Sequence, residues 1–332
     1  METNLFRRVL VVVPAMAAGA RLFDLLPLVE ADFRVRVVFT VPGTAPEVDR
    51  YVAEQGGLVV PWSQAIRHEW ELVLAADDRH VAQLSGPVLI LSEADGRALC
   101  LDRMRASLPF RATYREALGA DGLLVTMCST WSRGSVFETM PELCGELLAE
   151  LPPDRGCVAL VLHPRVWAAY GPRQVRAWLS PYLDAGLVLV QEAWRATLIA
   201  ADWVLGDHGS ATAYAAAVGA PVTMATGADQ LRCGPGDVLR QFAPRLQHDR
   251  ALLSQRRIAA QRAAQLRRVI APEIGATPGT AAALRATMYE LLDMPELDRG
   301  QVCGALRVPG PLVRRGRAPR AGTLACAHGP VG

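Results

Sequence analysis

Apolar positions along the chain fall into short unalternating runs, separated by stretches in which they recur at helical spacing. The first run, Val9-Leu10-Val11-Val12-Val13, lacks the polar alternation of a half-exposed strand and predicts a strand covered on both faces. Pro14 and Gly19 mark a turn, and Leu22, Leu25, Leu26 and Val29 give residues 21–30 the spacing of a helix. A β-branched strand over 35–41 stops at Pro42-Gly43, a helix fits 46–55, and short buried strands follow at 58–60, 72–74 and 88–91. Residues 102–118 predict one helix with its arginines outward. A second series then begins. Its strands are expected at 122–126, 157–162, 187–190, 203–206 and 221–224, with helices at 140–151, 173–185, 195–201 and 210–218. An Arg- and Gln-rich amphipathic helix over 249–269 and another over 280–292 close the regular pattern.

Strands alternating with helices predict the α/β class with parallel sheets. The two series share a rhythm without a residue-level repeat, so two Rossmann-like domains with a cleft between them are expected. A chain of 332 residues accommodates both at roughly 100–200 residues per domain. The expected division is a short first domain over 1–120 that includes a linker helix, a second over 121–293, and a Pro/Gly/Arg-rich tail over 294–332, whose composition predicts disorder.

Composition removes several function classes. With 51% apolar and 20% charged residues the chain is an ordinary packed protein. Its net charge of +2 argues against a dedicated nucleic-acid binder. All 35 basic residues are arginine. The absence of lysine excludes a Schiff-base lysine and a GxxxxGK(S/T) phosphate loop, which takes away most of the support for ATPases, GTPases and PLP enzymes. The seven cysteines form no CxxC pair and are odd in number, which speaks against a zinc site or disulfide framework and for thiols in a reducing compartment. The first apolar run is too short for a signal peptide, and no run reaches the ~18 residues of a membrane span. The expected location is cytoplasmic, with the Arg-rich helix and tail compatible with peripheral contact at the inner membrane face.

The segment Ala200-Ala201-Asp202-Trp203-Val204-Leu205-Gly206-Asp207-His208-Gly209-Ser210 carries the most chemistry. A buried strand ends at Gly206 and a helix of small residues begins almost at once. Its N-terminus offers unpaired N–H donors and a partial positive charge, and Gly209 keeps side-chain bulk away from an anion. Ser210 or Gly209 is suited to cap the helix. A Ser-His-Asp hydrolase is excluded, because triad members come from separate loops and Ser210 lacks a GxSxG elbow. Three further strand ends carry polar or aromatic groups: Ser129-Thr130-Trp131-Ser132, His163-Pro164, and Gln191-Glu192-Ala193-Trp194. Open α/β sheets bind ligands at the carboxyl ends of their strands, so these four ends are expected to line one site.

The order Ser-Thr-Trp, His-Pro, Glu-Ala-Trp and Ala-Asp-Trp-Val-Leu-Gly-Asp-His-Gly-Ser resembles the C-terminal domain of GT-B transferases, over roughly residues 121–293. It is similar in particular to the CDP-glycerol glycerophosphotransferases of wall teichoic acid synthesis, with Asp-His-Gly-Ser in place of Asp-Tyr-Ser-Ser. It also resembles a group of actinobacterial GT-B-like proteins. The resemblance implies an acceptor-side first domain and a donor-binding second one. The partner it implies is a nucleotide-diphosphate donor, CDP-, UDP- or GDP-linked, with no cofactor and no bound metal. Carried onto this sequence, Asp207, Gly209, Ser210 and Thr212 are expected at the donor phosphates, and Ser129, Thr130, Arg133 and Arg165 along the cleft, the arginines neutralising leaving-group charge. His163 and His208 are the candidates for proton transfer, and Glu192 and Trp194 are expected beside base and ribose. The junction at Ser92-Glu93 lacks the His-Gly turn of related proteins. The implied function is transfer of a glycosyl or polyol-phosphate group, and the alternative is a noncatalytic GT-B-like protein that binds a nucleotide or a partner.

Overall fold

The computed structural model describes residues 6–131, 133–226, 234–275, 279–297, 306, 308 and 309. In the first unit β1 (Arg7–Val12) leads to α1 (Met16–Leu25), β2 (Val35–Thr40), α2 (Pro46–Glu54), α3 (Trp62–Ala65), β3 (Leu72–Ala75) and β4 (Val88–Ile90). α4 (Glu93–Ala106) and α5 (Arg111–Ala117) connect it to the second unit. There β5 (Leu123–Ser129), α6 (Val136–Thr139), α7 (Leu143–Glu150) and β6 (Gly156–Leu162) are followed by α8 (Pro164–Tyr170), α9 (Pro172–Trp178), α10 (Ser180–Asp184) and β7 (Val188–Val190). The chain continues through α11 (Trp194–Ala200), β8 (Trp203–Gly206), α12 (Ser210–Ala217), β9 (Val222–Met224), α13 (Pro235–Phe242), α14 (Arg256–Glu273) and α15 (Thr280–Leu291).

Every strand pairing among the described residues is parallel. The first sheet has the order β2-β1-β3-β4 and the second β7-β6-β5-β8-β9. The expected strand at 58–60 is reduced to one parallel bridge between Val59 and Phe39 at the edge of β2. Pro61 follows at once and cannot donate to a ladder, so pairing stops there. Counting that bridge, each sheet begins with its third strand outermost and its first in the middle. The two share one doubly wound order, and the second has its reversal of winding between β5 and β8.

Prolines set several boundaries that helical spacing alone misplaces. The single helix expected over 102–118 is two, α4 and α5, separated by a 3-10 turn at Leu108–Phe110 that holds Pro109. The helix expected over 173–185 is divided into α9 and α10 before Pro181. Proline lacks the N–H and biases the preceding residue out of the helical region.

The helix α15 does not belong with the second sheet. Ala281, Met288, Tyr289 and Leu292 pack into the core of the first, against Leu25, Leu28 and Val35. Arg285 donates to the Leu28 carbonyl at 2.8 Å, and the Tyr289 hydroxyl to Asp32 at 3.0 Å. The boundary expected at 293 is corrected accordingly, because the last helix crosses back to the first unit. Most of the segment 294–332 expected to be disordered lies outside the described residues. Leu306 within it is nonetheless buried, its N–H donating to the Ser107 hydroxyl and its carbonyl accepting from Tyr114.

The two units are joined by a buried ion cluster. Asp24 of α1, only 5% exposed, accepts from Arg195 of α11 at 2.9 and 2.5 Å and from Arg103 of α4 at 2.5 Å. Arg195 also reaches the Cys100 sulfur at 3.1 Å.

Candidate functional site

β5 and β8 are neighbours in the middle of the second sheet, and their carboxyl ends are tied together by Asp207. This carboxylate is 1% exposed. It accepts from the N–H of Thr130 at 2.8 Å, of Val136 at 3.2 Å and of Gly209 at 3.0 Å, with the Ser129 hydroxyl at 3.5 Å. A charge with no cationic partner among the described residues is tolerated here because several N–H dipoles surround it. Asp207 therefore organises the loop after β5 and the turn after β8. Its placement among the phosphate-binding groups is corrected on this geometry, since a buried anion whose oxygens are already engaged repels a phosphate.

The helix α12 starts with its first residue, Ser210, exposed to solvent. Gly209 is the cap, and its N–H is spent on Asp207 rather than free for a ligand. The first helical bond is made by Ala213 to the Gly209 carbonyl, so the amides of Ser210, Ala211 and Thr212 belong to the helix end that has no internal acceptor. The Thr212 side chain does not share this role. It is fully buried, and a Cβ added at Gly206 would lie 2.2 Å from its hydroxyl. Thr212 packs onto the glycine of β8 and lets α12 lie close to the sheet, so its side chain is withdrawn from the phosphate-binding set. Gly209 is similarly confined, since a Cβ added there would lie 3.3 Å from that of Thr130.

Two other motif residues have structural work. Asp202 accepts from the Leu124 N–H and from Arg111 and Arg115, which fastens the connecting helix α5 to the second sheet. Trp203 is fully buried and donates its indole N–H to the Thr223 hydroxyl at 3.0 Å. Ser129 is also internal, donating to the Thr130 carbonyl and accepting from the Phe137 N–H at 2.9 Å each. Its expected contact with a ligand in the cleft is corrected to support of the loop.

His163 ends β6 beside this loop, its N–H donating to the Ser129 carbonyl at 3.0 Å. It caps α8: its Nδ1 accepts from the Arg165 N–H at 3.1 Å. Half-burial, with the Arg165 charge adding to it, holds the imidazole pKa below its usual value against the opposing pull of Asp207. At neutral pH the ring is uncharged with Nδ1 as acceptor, which assigns the proton to Nε2. In this arrangement His163 presents a hydrogen-bond donor and no free base nitrogen. Arg165 lays its guanidinium 4.5 Å from the centroid of the exposed Trp131 ring, and Arg133 is exposed on the same loop. Ser132 lies outside the described residues.

His208 is half-buried in the turn between Asp207 and Gly209, just past the carboxyl end of β8. The turn after β7 stands two strands from β5. Glu192 is exposed there, whereas the Trp194 ring packs 5.8 Å from Tyr214 of α12 and 4.8 Å from the Arg195 guanidinium, against the core. Ala193 adopts φ 56° and ψ 29°, a left-handed conformation strained for a residue with a Cβ. Asp207 thus ties Thr130 to the turn that holds His208 and Gly209, His163 stands beside the same loop, Glu192 is exposed after β7, and Trp194 reaches α12 through Tyr214.

Sequence reasoning passed over Asp77-Asp78-Arg79-His80, the turn after β3 in the first sheet. Arg79 and Asp77 pair at 2.5 Å, and the His80 ring stands edge-on to Trp62 at 5.9 Å. A cluster of charge directly after an apolar strand was the available signal. Among the described residues no group of three or more His, Cys, Asp or Glu side chains is placed to hold a metal ion, and no helix is long and apolar enough to cross a membrane.

Two doubly wound parallel sheets, joined by α4 and α5 and strapped by a last helix that returns to the first, form the GT-B arrangement. No family model and no curated protein matches the chain in sequence. Solved structures match it in fold. The wall teichoic acid polymerase TagF aligns at 10% identity over 88% of this chain and 91% of its own, with a TM-score of 0.51. HepE from Anabaena, solved with UDP-glucose, aligns at 12% identity over 86% and 99% of the two chains, with a TM-score of 0.45. At 10% identity the likeness to TagF is one of fold.

Proposed function

We propose that the protein is a GT-B-type transferase that binds a nucleotide-diphosphate donor at the carboxyl ends of β5, β6 and β8. It would move a glycosyl or polyol-phosphate group to an acceptor hydroxyl, in cell-envelope or glycan metabolism. The observation that carries this reading is the start of α12: Ser210 is exposed at a helix end whose amides have no internal acceptor, beside the loop that Asp207 holds in place. A diphosphate suits such a helix end, and Arg165 and Arg133 would offset its charge. The Nε2–H of His163 would donate to an oxygen that gains charge as the donor bond breaks. His208, in the turn itself, is the better candidate for taking the acceptor proton. The fold shared with a teichoic acid polymerase agrees with this class. The buried Asp24–Arg195 pairing favours a second reading, a noncatalytic binder whose two units are held in one relative position.

Thermal unfolding with CDP-, UDP- and GDP-linked compounds tests the proposal. One nucleotide class at 100 times its dissociation constant should add about 2.7 kcal/mol of stability. Absence of any shift at millimolar ligand sinks donor binding. Stabilisation with no turnover, or turnover unchanged in His208→Ala, sinks transfer or the role of His208 respectively.

A further inference from the structure

A cavity of about 380 Å³ opens on the face of the second sheet opposite α12, beside the loop after β5 and beneath α7 to α10. Its floor is apolar: Met127 of β5 and Leu160 of β6 with Cys144, Val166 and Leu179, all buried. Its rim is aromatic. Trp131, Tyr170 and Trp178 are 49%, 55% and 46% exposed, an unusual amount of aromatic surface to leave in water at one place. Trp178 meets two other rings, Tyr170 edge to face at 5.1 Å and 68°, and Phe137 tilted at 6.2 Å and 47°. The three rings form a corner whose faces turn in different directions, not a flat platform.

Among the described residues, Glu138 is the one charged side chain that lines the cavity. It is exposed, and its carboxylate accepts from the Gly134 N–H at 2.7 Å, which holds it at the loop after β5. It makes no ion pair among the described residues. Arg165, whose guanidinium lies 4.5 Å from the Trp131 ring centroid, does not line the cavity. An anion entering would meet Glu138 with no lining cation to offset it. A sugar would carry hydroxyls onto a floor of apolar side chains, and a nucleobase stacks on parallel faces that the corner lacks. A quaternary ammonium group fits on each count. Its methyls suit the apolar floor, it has no N–H in need of an acceptor, and its charge is drawn to several ring faces and to a carboxylate. The Tyr170 hydroxyl and the Trp178 indole belong to half-exposed residues at the rim, within reach of water.

We infer that this cavity binds a small molecule bearing a quaternary ammonium group, seated in the corner of Phe137, Tyr170 and Trp178 with Glu138 as its counter-ion. The volume falls within the ~300–1,000 Å³ of small-ligand sites and leaves room for the rest of the molecule. His163, Arg165, His208 and Ser210 do not line it, so the inference stands apart from donor binding and either can fail alone.

Calorimetric titration with choline and with neohexyl alcohol, its uncharged isostere with carbon in place of nitrogen, separates charge from shape. Choline should bind more tightly by about tenfold or more. Glu138→Gln keeps an acceptor for the Gly134 N–H but removes the charge, so choline affinity should fall about tenfold while that of the alcohol stays. Trp178→Ala should weaken choline by about tenfold, and Trp178→Phe by less, since it keeps a ring face. Nucleotide stabilisation should stay as in the native chain in all three variants. Absence of choline binding at millimolar concentration, or equal affinity for choline and the alcohol, overturns the inference. So does choline affinity unchanged in both Glu138→Gln and Trp178→Ala. Tighter binding of methyl glucoside than of choline overturns it in favour of a sugar.

Discussion

Replacing Asp207 separates a residue that builds the site from one that touches the ligand. In Asp207→Ala the N–H groups of Thr130, Val136 and Gly209 lose an acceptor at 2.8, 3.2 and 3.0 Å. A buried donor left unmade costs ~1–3 kcal/mol. Val136 is buried and bears the full cost, whereas Thr130 and Gly209 are half-buried and can take water in part. The sum is about 3 kcal/mol, a large share of the ~5–15 kcal/mol that holds a domain together. Asp207→Asn keeps one acceptor oxygen but turns an amide NH₂ toward a donor and loses the charge, so about half that loss is expected. Urea unfolding followed by circular dichroism gives both numbers, and nucleotide stabilisation on the same samples gives the effect on the site. Binding should weaken in proportion to the disorder of the loop after β5. If Asp207→Ala unfolds at the native urea concentration yet binds no nucleotide, the carboxylate contacts ligand and the reasoning is wrong.

Three further outcomes are expected. Asp24→Ala strands Arg195 and Arg103 in a buried site and should cost ~3–5 kcal/mol; a double-mutant cycle with Arg195→Met should show strong coupling, and additive losses would contradict the pairing. Hydrogen bonds from Arg34, with Tyr289 helping against the cost of burial, lower the Asp32 pKa from 3.8 to about 2. That difference is worth about 2 kcal/mol, present above the unfolded pKa near ~4 and lost as pH falls through about 2. The stability gap between native protein and Asp32→Asn should therefore shrink steadily below pH ~4, and a gap independent of pH would refute the assignment. Ala193→Gly relieves a left-handed residue, and should raise stability by ~0.5–1 kcal/mol; a lower melting temperature would count against that backbone conformation.

The class of fold was legible in the sequence because parallel strands covered on both faces lose their polar alternation. Val9–Val13, the runs at 157–162 and 203–206, and the turn residues between them sufficed for two α/β units. Helical spacing showed that 280–292 has an apolar face, but not which core it covers. Only the tertiary structure decided that α15 returns to the first sheet, where Tyr289 meets Asp32. The same limit governs the site. Sequence order placed Asp207, Gly209, Ser210 and Thr212 side by side in one motif and gave them one role. Folding divides them by direction, because successive residues at a strand end and helix start point to different surroundings. Asp207 turns inward to gather N–H groups, Thr212 packs on Gly206, and Ser210 alone of the four presents its side chain to solvent. The aromatic rim of the cavity comes from Trp131, Tyr170 and Trp178, three separate loops and helices. No local pattern marks such a set, because what unites its members is the packing of α8 and α9 against the loop after β5.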